Sequence, residues 1–243
     1  MLEIFAVAAV AGLVQGLTGF GFGLVATSLW AWMMEPRALV PVVVLGSVLA
    51  QLASIHHIRP HMKMSRAGPL LLGGVIATPV GVAALSFIDV ITFKTGVGVV
   101  LLVYCSFMLS ERGFPRVSGG GRLLDGAIGC VAGLMGGASG LQGPPMIVWC
   151  ALRGWEAAEQ RATYQSFFIV TQSLMFLLLW AAGIADRSHL KLVVMLAPVV
   201  IAASVLGTWL SRRLGERQFA KTVHGFLWIS GLLLVIPFIS SKL

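Results

Sequence analysis

The chain is short of charge. Only 11% of its 243 residues are Asp, Glu, Lys or Arg, against about 25% in a typical soluble domain. Hydrophobic residues make up 58%, and mean hydropathy is +0.93. This excludes an ordinary soluble fold and predicts an integral membrane protein with little chain outside the bilayer. Carboxylates are scarcer still: none of the nine lies well inside an uncharged run. Carriers driven by sodium or protons often keep intramembrane carboxylates, and a membrane hydrolase needs acid, base and nucleophile at one depth. Neither set is present, so no enzyme is expected. Cysteine is equally sparse. Cys105, Cys130 and Cys150 lie in apolar stretches without a Cys-x-x-Cys pair or a neighbouring metal-ligand histidine, so they read as packing residues. No metal and no cofactor is expected. Nor is a cleavable signal peptide, because the N-terminus lacks a basic region. The net charge of +8 would suggest nucleic acid in a soluble protein. Here it reads as loop Lys and Arg facing lipid headgroups, with no nucleic-acid partner.

What the chain has is apolar runs. Six of them, 38–55, 67–88, 95–110, 162–185, 192–211 and 222–241, hold 16 to 24 residues each, close to the roughly 20 needed to cross the hydrocarbon core. Two are longer: 4–34 has 31 residues and 126–152 has 27. A straight 31-residue helix would measure about 46 Å against a core of roughly 30 Å. Glycines cluster at the centre of both long runs, and Pro144-Pro145 suits the first turn of a new helix. Each long run therefore reads as two short helices joined by a tight glycine tip.

The long runs also repeat. At an offset of 121, Gly12 meets Gly133, Gly16 meets Gly137, Thr18 meets Ser139, Gly19 meets Gly140, Glu35 meets Glu156 and Gln51 meets Gln172. Later the offset becomes 126, pairing Gly81 with Gly207 and Phe93 with Phe219. The expected halves are 1–117 and 122–243, joined by Ser118-Gly119-Gly120-Gly121. Charge counting separates two topologies. Eight simple spans divide Lys and Arg nine to eight, whereas two re-entrant hairpins divide them twelve to five. Lys and Arg concentrate in cytoplasmic loops, so the hairpin topology is preferred. The expected fold is all-α: two inverted repeats, each a re-entrant hairpin plus three transmembrane helices, with both termini outside the cytoplasm. Eight simple spans remain the alternative.

Two constellations could carry chemistry. The first is the pair of tips, with Thr18, Gly19 and Gly21 in one and Ser139, Gly140, Gln142 and Gly143 in the other. A helix leaving a tip offers free N–H groups and a positive dipole end, which favour an anion. The competing explanation is close helix packing through Gly12-x-x-x-Gly16, Gly19-x-x-x-Gly23 and Gly136-x-x-x-Gly140. The second is Gln51 with Gln172, either a shared site across a pseudo-twofold axis or amides that bridge helices. Gln165, Thr171 and Tyr164 are weaker versions of that idea. His56, His57 and His61 match no metal spacing and read as a solvated basic loop. His224 reads as structural or as a proton carrier.

At Gly12–Gly23 and Gly133–Pro145 the chain resembles the sulfite exporter TauE/SafE family of membrane transporters, and the resemblance extends over essentially the whole chain. It implies a carrier of sulfite or a short organosulfonate across the bacterial inner membrane, with the residues of both tips as the substrate site. Phe20 and Phe22 alternating with glycine, and Gln142 in place of a further glycine, depart from the family pattern. A membrane scaffold that transports nothing and a passive anion channel are the alternatives. The oligomeric state is left open. The expected partners are a small anion and the lipid bilayer.

Overall fold

The computed structural model describes all residues except 54, 56–62, 111–115, 118, 212–215 and 241–243, and the side chains of 216–220, 222 and 237–240 are likewise not described. The expected histidine loop, Ser118 of the expected joint and the C-terminal Lys242 lie outside the described residues. The described residues form ten helices and no strand: α1 (Leu2–Thr18), α2 (Gly21–Trp30), α3 (Pro36–Leu52), α4 (Met64–Leu85), α5 (Val90–Leu109), α6 (Gly121–Ser139), α7 (Gly143–Leu152), α8 (Ala157–Ala181), α9 (Arg187–Ser211) and α10 (Glu216–Ser240). Four of them, α4, α5, α8 and α9, are long and apolar enough to cross a membrane.

Both long runs break where their glycines cluster. α1 ends at Gly19 with φ +84° and α6 ends at Gly140 with φ +76°, a left-handed conformation that costs a residue with a Cβ about 1–2 kcal/mol. The turns close alike: the Gly19 N–H donates to Gln15 O and the Gly140 N–H to Gly136 O. The halves then run in step, α1 to α5 matching α6 to α10.

The halves interlock across the repeat boundary. α1 packs on α9, and α6 packs on α4. A Cβ on Gly16 would stand 2.0 Å from Ser204 O, and one on Gly207 would stand 2.2 Å from Leu13 O. Their counterparts behave the same way: a Cβ on Gly137 would meet Thr78 O at 2.6 Å, and one on Gly81 would meet Leu134 O at 2.4 Å. These backbones touch because glycine permits it. α1 runs parallel to α9, since Gly12 lies against Val200 and Gly16 against Ser204. α4 runs parallel to α6, with Leu70 against Gly129, Gly74 against Gly133 and Thr78 against Gly137.

α5 and α10, which correspond to each other, pair across the centre. Gly98 faces Gly231, Tyr104 meets His224 at 3.2 Å and Ser106 meets Trp228 at 2.8 Å. The early part of α5, at Gly98, meets residues 231–235, and its later part, at Tyr104 and Ser106, meets 224 and 228, so the two run antiparallel. Eight uninterrupted crossings would make them parallel. Antiparallel pairing requires an odd number of crossings per half, which is what a hairpin plus three spans provides.

Candidate functional site

The two tips meet. A Cβ on Gly23, in the first turn of α2, would stand 3.0 Å from Gly140 O. Beside this contact lies a small, open-mouthed pocket lined by residues of both tips together with Ser47, Phe168 and Gln172. α2 and α7 both begin here, so the first-turn N–H groups that their helices leave unused gather near it. On α7 the prolines at 144 and 145 carry no N–H, which leaves Gly143 as the donor of that turn's start. Gly143 has open space beside it, its nearest neighbour to a built Cβ being Ile147 at 3.5 Å.

Gln142, 3% exposed, sets the chemistry of the pocket wall. Its Oε1 lies 2.8 Å from the Thr171 hydroxyl, whose one proton is shared with Phe167 O at 2.7 Å, and its Nε2 is buried without a partner. A buried amide donor left unsatisfied costs about 1–3 kcal/mol, so a pocket ligand with a free acceptor gains by supplying the missing bond. Ser47 adds a second donor. Its Oγ accepts from Gln51 Nε2 at 3.1 Å and from Gln172 Nε2 at 3.0 Å, and two accepted bonds orient a hydroxyl so that its own proton points elsewhere. Gln51 Nε2 also donates to Gln172 Oε1 at 2.7 Å. The two matched glutamines therefore bond directly to each other, as residues on a twofold axis do, and they bridge α3 and α8. Gln172 lines the pocket, while Gln51 stands behind it.

The hydroxyls expected to point at a ligand are engaged locally. Thr18 Oγ1 donates to Val14 O and Ser139 Oγ to Met135 O, both at 2.8 Å. Each also accepts the second N–H onward, from Phe20 and Leu141, both at 3.4 Å. They shape the turns. The glycines divide between the two sequence explanations: Gly12, Gly16, Gly133 and Gly137 serve helix packing, Gly19 and Gly140 make the turns, and Gly23 and Gly143 face the pocket. A Cβ on Gly21 would meet Val14 at 2.2 Å, so Gly21 packs inside the first hairpin.

Several residues were not singled out from the sequence. Ser47 lies one helical turn before Gln51, a spacing that could have flagged it. Gln15 staples the first tip, its Nε2 donating to Gly19 O at 2.9 Å and its Oε1 accepting from the Phe22 N–H at 3.0 Å. Arg161 is another. α8 starts at Ala157, five residues before the uncharged run, so Arg161 is helical and its long side chain reaches Gly16 O at 2.9 Å. The first tip thus has a fixed cation beside it, which the apolar runs alone did not reveal.

The family model of the sulfite exporter TauE/SafE matches residues 4–234. The chain belongs to the sulfite exporter TauE/SafE family. It is accordingly a multi-pass membrane protein of a transporter family. Comparison with curated proteins and with solved structures gave no match. In this TauE/SafE chain both glycine-rich tips fall inside the matched region, and so does the polar cluster between them. Among the described residues no group of His, Cys, Asp and Glu is arranged to hold a metal.

Proposed function

We propose that this TauE/SafE protein is a secondary exporter of a small sulfur-containing oxyanion, sulfite or a short organosulfonate, across the bacterial inner membrane. The observation that carries this reading is the unpartnered Gln142 Nε2 on a pocket between two helix N-termini. The anion takes its bonds from Gln142, from the Ser47 hydroxyl and from the first-turn N–H groups of both tips. Gln51 and Gln172 hold Ser47 in place. Thr18, Gly19, Gly21, Ser139, Gly140 and Gly143 form the tip backbones that present those donors. An oxyanion suits this donor-rich wall, because hydrogen bonds to a charged acceptor are about twice as strong as neutral ones. No carboxylate lines the pocket to hold sodium, so a coupling proton travels on the substrate as its protonated anion.

The hairpin of α1 and α2 enters from outside and that of α6 and α7 from the cytoplasm, with both termini outside. Single cysteines at Glu3 and Lys242 should react with an impermeant thiol reagent on intact cells. Labelling only after permeabilisation would reverse this orientation.

Thermal stabilisation of the purified protein across sulfite, thiosulfate, sulfoacetate, sulfate and acetate tests the pocket. Sulfur oxyanions should stabilise the parent. Gln142→Leu should weaken the best of them by about 1–3 kcal/mol, the value of a charge-assisted hydrogen bond to a buried donor. Undiminished binding by Gln142→Leu would place the ligand elsewhere. Counterflow of labelled sulfite in proteoliposomes separates a carrier from a channel or a scaffold, since only a carrier exchanges.

A further inference from the structure

The first tip carries a feature that the second lacks. Three side chains of α8 donate to carbonyl oxygens at its turn: Arg161 Nη2 to Gly16 O at 2.9 Å, the Tyr164 hydroxyl to Thr18 O at 2.9 Å and Gln165 Nε2 to Gly19 O at 3.0 Å, with Thr208 also on Gly16 O and Gln15 also on Gly19 O. The donors converge tightly. A single point beside the Gly19 Cα lies 2.7 Å from Gln165 Nε2, 2.9 Å from Arg161 Nε and 2.9 Å from the Tyr164 hydroxyl. At the 121-residue offset the counterparts of these three residues are Val40, Val43 and Val44, all buried and apolar, and Val43 lies against Gly140 with the Thr27 hydroxyl further off. The left-handed turn at Gly140 forms equally well against valines, so the turn itself does not need a guanidinium.

Arg161 stands in the second turn of α8 and carries its charge along a long side chain to the tip. Among the described residues Arg161 has no carboxylate partner, and its bond to Gly16 O uses one of five N–H donors. Gln165, 0% exposed, also leaves its Oε1 without a partner. The clamp is therefore a partly used donor set beside an orphan acceptor.

The geometry points to a second oxyanion site: Arg161, Tyr164 and Gln165 receive the anion between the cytoplasm and the central pocket, and in this state the first tip's own carbonyl oxygens occupy it. The inference rests on the anion-transport reading. A carbonyl at a helix C-terminus carries a partial negative charge, whereas an oxyanion carries a full one and can take two parallel guanidinium N–H groups. An arriving oxyanion can therefore displace the carbonyls and free the first tip, and Gln165 Oε1 can accept a hydrogen bond from the O–H of a protonated anion, which keeps its proton. The path inward is marked. Tyr164 stacks edge-on with Phe20, centroids 5.9 Å apart, and lies 5.7 Å from Phe168; both phenylalanines line the pocket. Releasing the Tyr164 hydroxyl from Thr18 O loosens this aromatic barrier.

Labelled sulfite is the probe, in counterflow with proteoliposomes and in equilibrium binding to detergent-solubilised protein. Arg161→Gln should slow exchange about tenfold or more, as loss of a charge-assisted bond implies, while equilibrium binding in the central pocket stays within about threefold. Arg161→Lys should recover part of the exchange, because it keeps the charge. Tyr164→Phe, which removes one hydroxyl, should slow exchange with binding retained, and it serves where Arg161→Gln does not fold. Parent exchange rates in Arg161→Gln, or in Tyr164→Phe where Arg161→Gln does not fold, would overturn the second site and leave the central pocket standing. Loss of folding in Arg161→Gln with full exchange in Arg161→Lys and Tyr164→Phe would reduce the clamp to a helix cap and also overturn it. Loss of the central pocket itself is read separately, by Gln142→Leu binding sulfite like the parent.

Discussion

The two tips share one backbone and differ in what surrounds it. Gly19 and Gly140 make the same left-handed turn, with matching bonds to Gln15 O and Gly136 O, and Thr18 and Ser139 make matching bonds to the preceding turn. Around the first tip stand Gln15, Arg161, Tyr164 and Gln165; beside the second stands Val43, and the counterparts of the three α8 residues are all valines. On the pocket side the asymmetry reverses. Gln142 belongs to the second tip, and its counterpart at the 121-residue offset is Gly21. A duplicated backbone thus supplies two facing helix ends, and divergent side chains give them different tasks. One tip is pinned by exchangeable polar bonds, and the other carries the orphan donor.

If the scaffold is symmetric, damage to it should be symmetric. Gly16→Val and Gly137→Val should be the most damaging changes, because even a single Cβ would stand 2.0 Å from Ser204 O in one case and 2.6 Å from Thr78 O in the other. Overpacking of this kind costs about 1–3 kcal/mol or more, and these neighbours are backbone atoms that cannot rotate away. Both variants should lose most of their monodisperse peak in fluorescence-detected size exclusion. Loss in one half only would break the equivalence of the α1–α9 and α6–α4 pairs.

A milder pair sharpens the contrast between the tips. Gly19→Ala and Gly140→Ala both force a Cβ into a left-handed turn, at about 1–2 kcal/mol. Gly140→Ala adds only a contact with Val43 at 3.3 Å, whereas Gly19→Ala pushes into Arg161, Tyr164 and Gln165. Thermal melting should fall further for Gly19→Ala, and its sulfite exchange should change more. Equal losses would mean that the α8 clamp contributes nothing beyond the turn.

The large features were legible in the sequence because they rest on patterns that chemistry makes coarse. Run length, glycine clusters and the 121-residue offset predicted broken helices and an inverted pair, and α5 against α10 bears this out. Gln51 and Gln172 were singled out as amides in apolar surroundings, and they bond to each other. What the sequence hid was direction and reach. Whether a Thr18 hydroxyl turns to a ligand or to its own helix is a rotamer choice that spacing does not encode. Arg161 sat outside an uncharged run by definition, yet α8 starts earlier and a long side chain spans the gap. Ser47 carries no charge and stands among valines, so only its placement one turn from Gln51 marked it.

The smallest effect should come from a difference at the helix starts. α9 begins behind Asp186, whose carboxylate accepts the Ser188 N–H at 2.8 Å and the His189 N–H at 3.2 Å. Its counterpart α4 begins behind Lys63 with no side-chain cap. Hydrogen bonds from the Ser188 hydroxyl first, and then from His189, hold the Asp186 carboxyl well below the usual carboxylate range. A lowered value means that this cap contributes fully above the ordinary aspartate pKa and loses its contribution as pH falls through the folded value. Asp186→Asn should therefore lower the melting temperature slightly near neutral pH, and the gap to the parent should begin to narrow as pH falls from about 5 through the ordinary aspartate range and go on narrowing towards the lower folded value. A constant Asp186→Asn gap across that range would mean that the charge at α9 does not stabilise the helix, and the two halves would then differ at their tips but not at their helix starts.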